Sequence, residues 1–115
     1  MKTIKYSPDY KEKLIRMRKY LDSQFGDTKR KEVFSAINNR IQSIKKHEDI
    51  GISVRDMFGV DTDYQYIYAA KNYVFYRVDE TQIYIVNIYD EREDFMWKLF
   101  GIKTTSQETV DYWNE

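Results

Sequence analysis

Apolar residues fall at Tyr10, Leu14, Met17, Leu21 and Phe25, spacings that line one face of an α-helix. Ahead of them, Ser7-Pro8-Asp9 supplies a capping hydroxyl, a proline at the first helical position and an acid in the first turn. Gly26 supplies the stop. Val33, Ile37, Ile41 and Ile44, with Phe34 beside them, form the stripe of a second helix capped by Asp27 or Thr28. Lys45, Lys46 and His47 fall in its last turn, where cations suit the helix dipole. The short link predicts an antiparallel helical hairpin. Residues 2–6, mixed apolar and polar, predict a strand before it.

From Gly51 the period changes to that of strands. Residues 54–58 read as a first strand, and Asp61-Thr62-Asp63 as a turn. Residues 64–70 and 73–78 read as two strands joined by a two-residue turn at Lys71-Asn72. Asp79-Glu80-Thr81 turns again into residues 82–90, which are apolar on both faces and therefore belong inside the sheet. Residues 91–100 predict a short third helix with three acids in its first turn and Phe95, Met96 and Leu99 directed at the sheet, ended by Gly101. Thr105-Ser106-Gln107-Glu108 is a weak capping box before Val110, Tyr112 and Trp113. The fold class expected is α+β: an N-terminal strand, an antiparallel helical hairpin packed on a small twisted antiparallel sheet, and a short C-terminal helix.

Composition narrows the chemistry. At 115 residues the chain is one domain, and with no cysteine it has no disulfide, thiolate nucleophile or zinc ribbon. The opening Met1-Lys2-Thr3-Ile4-Lys5-Tyr6 lacks the apolar region of a signal peptide, and no apolar run approaches the ~20 residues of a membrane helix. A cytoplasmic protein is expected, with no membrane partner. Aromatic residues make up 17% of the chain, eleven of them tyrosine, which suits a half-buried sheet or a surface that grips a partner. Net charge is zero but divided: residues 1–48 hold 13 Lys/Arg against 6 Asp/Glu, and residues 49–115 hold 6 against 13. A basic face for nucleic acid or an acidic partner competes with two solvated lysine-rich helices. The four glycines are scattered, so no phosphate-cradling loop exists, and no cofactor is expected. Asp90, Glu91, Glu93 and Asp94 are either oxygen ligands for a hard cation or dipole-compensating acids at a helix start.

Three segments carry a resemblance. Ile4-Lys5-Tyr6-Ser7-Pro8-Asp9-Tyr10, Asn72-Tyr73-Val74-Phe75-Tyr76-Arg77-Val78, and Ile85 through Phe95 resemble the first strand and capped helix, the penultimate strand, and the last strand and following turn of the RelE/ParE toxin superfamily. The resemblance covers residues 1–102 as a toxin domain and leaves 103–115 as a tail. It implies a growth-inhibiting toxin of a type II toxin–antitoxin module (a plasmid stabilisation protein), neutralised by a cognate antitoxin. RelE-like members cut mRNA on the ribosome; ParE-like members inhibit DNA gyrase; a toxin-like fold that only binds a partner is a third class.

On the nuclease reading the resemblance assigns catalysis to Arg92, Arg77 and Tyr89, with Lys71 and Tyr73 nearby. Where nuclease members carry a histidine this chain has Asp90, whose ordinary pKa of ~3.9 makes it a poor proton donor at neutral pH. The only histidine, His47, reads as a solvated helix end. Arg92 has a second reading as a helix-start arginine paired with an acid. On the binding reading, favoured by the missing histidine and the long hairpin, Trp97, Phe100 and Tyr73 would contact the partner, with Tyr112 and Trp113 of the tail. Trp97 could equally pack in the core. A tyrosine-rich sheet edge points to a homodimer when no antitoxin is present.

Overall fold

In the computed structural model, which describes residues 2–102, β1 (Thr3–Tyr6) leads directly into α1 (Pro8–Phe25). The Ser7 hydroxyl oxygen accepts the Tyr10 N–H at 3.0 Å, and Pro8 occupies the first turn. Gly26, at φ 86°, ends α1 and also precedes α2 (Asp27–Lys46). Asp27 is therefore a first-turn acid rather than a side-chain cap, and α2 has no side-chain cap at all. The backbone freedom of glycine makes this abrupt reversal available without a loop.

The rest of the fold is β2 (Ile52–Ser53), α3 (Val54–Phe58), β3 (Gln65–Ala69), β4 (Asn72–Val78), β5 (Gln82–Asp90) and α4 (Phe95–Phe100). The five strands lie in the order β1-β5-β4-β3-β2. β2 to β5 pair antiparallel, but β1 joins β5 in parallel, so the sheet is mixed rather than wholly antiparallel. The parallel pairing follows from the long excursion through hairpin and meander between the two strands. β5 lies inside, between β1 and β4, as its two apolar faces require.

Three local expectations are corrected. Residues 54–58 are helix, not strand: the Ser53 hydroxyl accepts the Asp56 N–H at 3.2 Å and Gly59 closes the turn in the left-handed region. A capped start and a glycine stop override the β-like composition. The two-residue turn is Ala70-Lys71, not Lys71-Asn72, because Ala69 pairs with Asn72. Both turn residues have positive φ, 48° and 63°, as a type I′ hairpin demands. The last helix begins at Phe95; the acids before it build a turn, and Asp94 caps α4 by accepting the Trp97 N–H.

The sheet separates two apolar layers. Beneath the hairpin, Tyr10, Ile37, Ile41 and Ile44 meet Ile67, Val74, Tyr76, Ile83, Ile85 and Ile88. The opposite face is aromatic: Tyr66, Phe75 and Tyr89 pack with Val54 and are covered by Phe95, Leu99 and Phe100 of α4. One irregularity makes the first layer possible. Phe75 pairs with Asn87 but Tyr76 pairs with Ile85, so Val86 is an extra residue in β5. This bulge turns Ile88 to the same side as Ile83 and Ile85. Among the described residues, no helix is long and apolar enough to cross a membrane.

Candidate functional site

The turn from β5 into α4 holds Asp90 and Arg92, with Tyr89 just before it. Asp90 ends β5, and its Oδ1 accepts both the backbone N–H and the Nε–H of Arg92 at 2.9 Å. These hydrogen bonds from Arg92 hold the Asp90 carboxyl below the ordinary carboxylate range. Arg92 thus takes its helix-start reading, a well-exposed guanidinium paired with the acid two residues earlier. The other acids are also engaged: Glu91 accepts the Tyr68 hydroxyl, Glu93 pairs with Lys98 at 2.9 Å, and Asp94 caps α4. Among the described residues no cluster of His, Cys, Asp or Glu could hold a metal ion.

Arg92 borders a groove of about 490 Å³ between this turn and the hairpin. Met17, Tyr20 and Phe25 form its apolar side, and its rim is mixed in charge, with Lys29, Lys71 and Arg92 beside Asp90 and Glu91. Tyr20 and Phe25 stand exposed and meet edge to face at 6.3 Å. The strained Ala70-Lys71 turn is fastened here, for the Glu91 N–H donates to the Lys71 carbonyl at 2.9 Å and the Asn72 amide donates to the Ala70 carbonyl at 2.8 Å.

Tyr89 sits one residue inside the turn but faces the aromatic layer. It is buried, and its hydroxyl accepts the Asn87 amide N–H at 3.1 Å. Burial raises its pKa, so the hydroxyl stays protonated at neutral pH. Above its ring, at 3.7 Å from the centroid, lies the Lys13 ammonium, which also donates to the Ile88 carbonyl at 3.1 Å. Sequence reasoning passed over Lys13. Its signal was its place beside Leu14 and three residues after Tyr10, at the margin of the apolar stripe.

The remaining candidates do not converge. Arg77 is five residues along β4 from Asn72, the partner of Asp90, which is about 17 Å from the turn at ~3.3 Å per residue. There it pairs with Asp63 at 2.8 Å. Tyr73 pairs with Tyr89 across the strands and is half-buried among Tyr66, Tyr68 and Phe95. Phe100 packs on Tyr64 and Phe75. Trp97 is 53% exposed and belongs to no core cluster, so it does not take the core-packing role. His47 ends α2, exposed, and Tyr112 and Trp113 lie outside the described residues. The site offers cations, hydrogen-bond donors and apolar area.

A family model described as ParE toxin of type II toxin-antitoxin system, parDE, matches residues 4–95. Among solved structures the chain is similar to one described as a chromosomal ParDE TA system from P. aeruginosa, with a TM-score of 0.64 and 13% identity over 78% of this chain and 96% of that one, which shows a shared fold. No curated protein sequence matches the chain. The family match runs from β1 to the first residue of α4, and the chain belongs to the ParE toxin family of type II toxin–antitoxin systems.

Proposed function

We propose that the protein arrests growth by binding its target rather than by cleaving RNA, that the target is DNA gyrase, and that a cognate antitoxin holds the toxin inactive in the cytoplasm. The observation that carries this reading is the state of the β5–α4 turn. Asp90 occupies the position where a nuclease would need a proton donor, and its Arg92 partner keeps it ionised. Tyr89 is buried and protonated, and the two arginines stand at opposite ends of the strands. General acid–base catalysis needs a group poised near neutral pH within hydrogen-bond reach of the reacting atoms, and this constellation supplies none.

Binding needs anchors instead. Trp97 offers an exposed apolar anchor on α4, and Met57 and Phe58 of α3 are exposed as well, while Tyr73 and Phe100 pack into the aromatic layer. The test is induced expression in a bacterial host, with growth, plasmid supercoiling and mRNA integrity followed together. Growth arrest with altered supercoiling and intact mRNA is expected, lost in Trp97→Ala and retained in Arg92→Ala. Arrest with cut mRNA that Arg92→Ala abolishes would replace the proposal with the ribosome-dependent nuclease. Unimpeded growth with abundant folded protein would replace it with a partner-binding protein without toxicity.

A further inference from the structure

A second groove, of about 440 Å³, opens between α1, α2 and the end of β1 and shares no residue with the one beside Arg92. Its walls are apolar: Tyr6 of β1, Tyr10 and Leu14 of α1, and Phe34 and Ile37 of α2. Tyr6 and Tyr10 stack at 5.4 Å, which fixes two of these walls. Phe34 is half-buried and belongs to neither core layer, so its ring is spare apolar surface on the groove. A cleft of this size and lining suits a small molecule.

The polar groups set into the walls can all donate a hydrogen bond, and none is a carboxylate. Lys11 is the single charged residue on the groove, and it forms no ion pair among the described residues. The side chains of Ser35 and Asn38 have no hydrogen-bond partner there either. Tyr10 adds the stronger constraint. It is only 2% exposed, yet its hydroxyl meets no hydrogen-bond partner among the described residues. No described side-chain polar atom that is shut off from solvent lacks a partner, so this hydroxyl reaches open space, and the groove is the space that Tyr10 lines. Burial raises the pKa of Tyr6 and of Tyr10, so both hydroxyls keep their protons at neutral pH.

We propose that this groove binds a small amphipathic carboxylate, its apolar body against Tyr6, Tyr10, Leu14, Phe34 and Ile37 and its anionic head on Lys11 and the neighbouring donors. The proposal stands apart from the gyrase reading and survives its failure. A neutral apolar molecule would fill the walls but leave Lys11 and the Tyr10 hydroxyl without an acceptor. A cation would meet Lys11 with no acid on the groove to offset it. An anion without an apolar body would leave the five apolar walls facing water. A second copy of this chain, seated groove to groove about a two-fold axis, would bring a second Lys11 and again no acid.

The test is two-dimensional amide NMR of the full chain titrated with octanoate, octanol and octylammonium, which share one apolar body and differ in the head group. Octanoate should shift the amides of Lys11, Leu14, Phe34 and Asn38 with a Kd of about 1 mM or below. Octanol should bind about fivefold more weakly and octylammonium about tenfold more weakly. Lys11→Gln should remove the preference for octanoate over octanol while octanol binding stays as it was. Tyr10→Phe should weaken octanoate about threefold, and Phe34→Ser should weaken octanoate and octanol alike by about tenfold. Thermal melting checks that each variant folds as the parent does. No amide shift at about 10 mM octanoate, equal affinity for the three compounds, or shifts confined to the surroundings of Trp97 would each overturn the proposal. Octanoate binding that appears only in Trp113→Ala would overturn it in favour of residues 103–115 as the occupant, and a dimer that octanoate dissociates would do so in favour of a second copy.

Discussion

Tyr76 shows how much one buried hydroxyl can govern. Its ring is fully buried beneath the hairpin, and its oxygen accepts the Gly51 N–H at 3.0 Å. Its proton is shared by the Glu48 carbonyl oxygen at 3.0 Å and Gln65 Oε1 at 3.1 Å. The link between α2 and β2 is thereby tied to the centre of the sheet. Tyr76→Phe removes that tie and strands backbone groups, and should lower the unfolding free energy in urea by about 1–3 kcal/mol. Gly51→Ala should be at least as damaging, since an added Cβ would collide with the Tyr76 hydroxyl and lie 2.9 Å from the Tyr66 carbonyl oxygen. At the turn, Asp90 should titrate below ~3.9 in a carboxyl-resolved NMR experiment and return towards that value in Arg92→Ala. An Asp90 midpoint unmoved by the substitution would mean that the ion pair is not what holds it down.

Among the elements, α1, α2 and β5 were legible in the sequence because their signals are redundant. Ser7, Pro8 and the stripe from Tyr10 to Phe25 agree with one another, and α1 begins and ends where they say. Residues 54–58 misled because Val, Met and Phe suit a strand, while the decisive parts, the Ser53 cap and left-handed Gly59, lie outside the run. The Ala70-Lys71 turn was shifted by one residue because neither residue advertises positive φ; the conformation is imposed by the pairing of β3 with β4. That imposition has a measurable cost. Lys71→Gly should stabilise the protein by about 0.4–1 kcal/mol, read as a raised urea midpoint, with glycine accepting the left-handed conformation more readily than lysine. The candidate site was legible only in part, since the Asp90–Arg92 pairing is local in sequence while Lys13 over Tyr89 depends on how α1 lies across β5.

For the whole molecule, part of the acid sensitivity follows from two of the three carboxylates held below their ordinary range among the described residues, Asp79 and Asp90, with Glu93 beside Lys98 the third. Backbone N–H groups of Thr81 and Gln82 depress the Asp79 pKa, as Arg92 depresses that of Asp90. A folded pKa below the unfolded one means that the native state prefers the ionised form. The stabilisation is therefore complete above the unfolded value near ~3.9 and is lost as pH falls through the folded values. Stability measured from pH 7 downwards should stay level with respect to these groups until about pH 4 and then fall, and Asp79→Asn with Asp90→Asn should flatten that final fall.

Sheet closure also sets an order in time. β1 pairs with Gln82–Ile85 of β5, and the Ser7 N–H donates to the Ile85 carbonyl at 2.9 Å. β1 therefore waits for β5, through the synthesis of α1, α2, α3 and the strands β2 to β4, before its hydrogen bonds can form. Such non-local pairing is slow to reward the chain for closing its longest loop. A nascent toxin halted before β5 has no partner for β1 and no β5–α4 turn, so interrupted translation releases fragments without a finished sheet. The fold thus carries its own delay, an interval during synthesis in which neither the β1 ladder nor the β5–α4 turn exists.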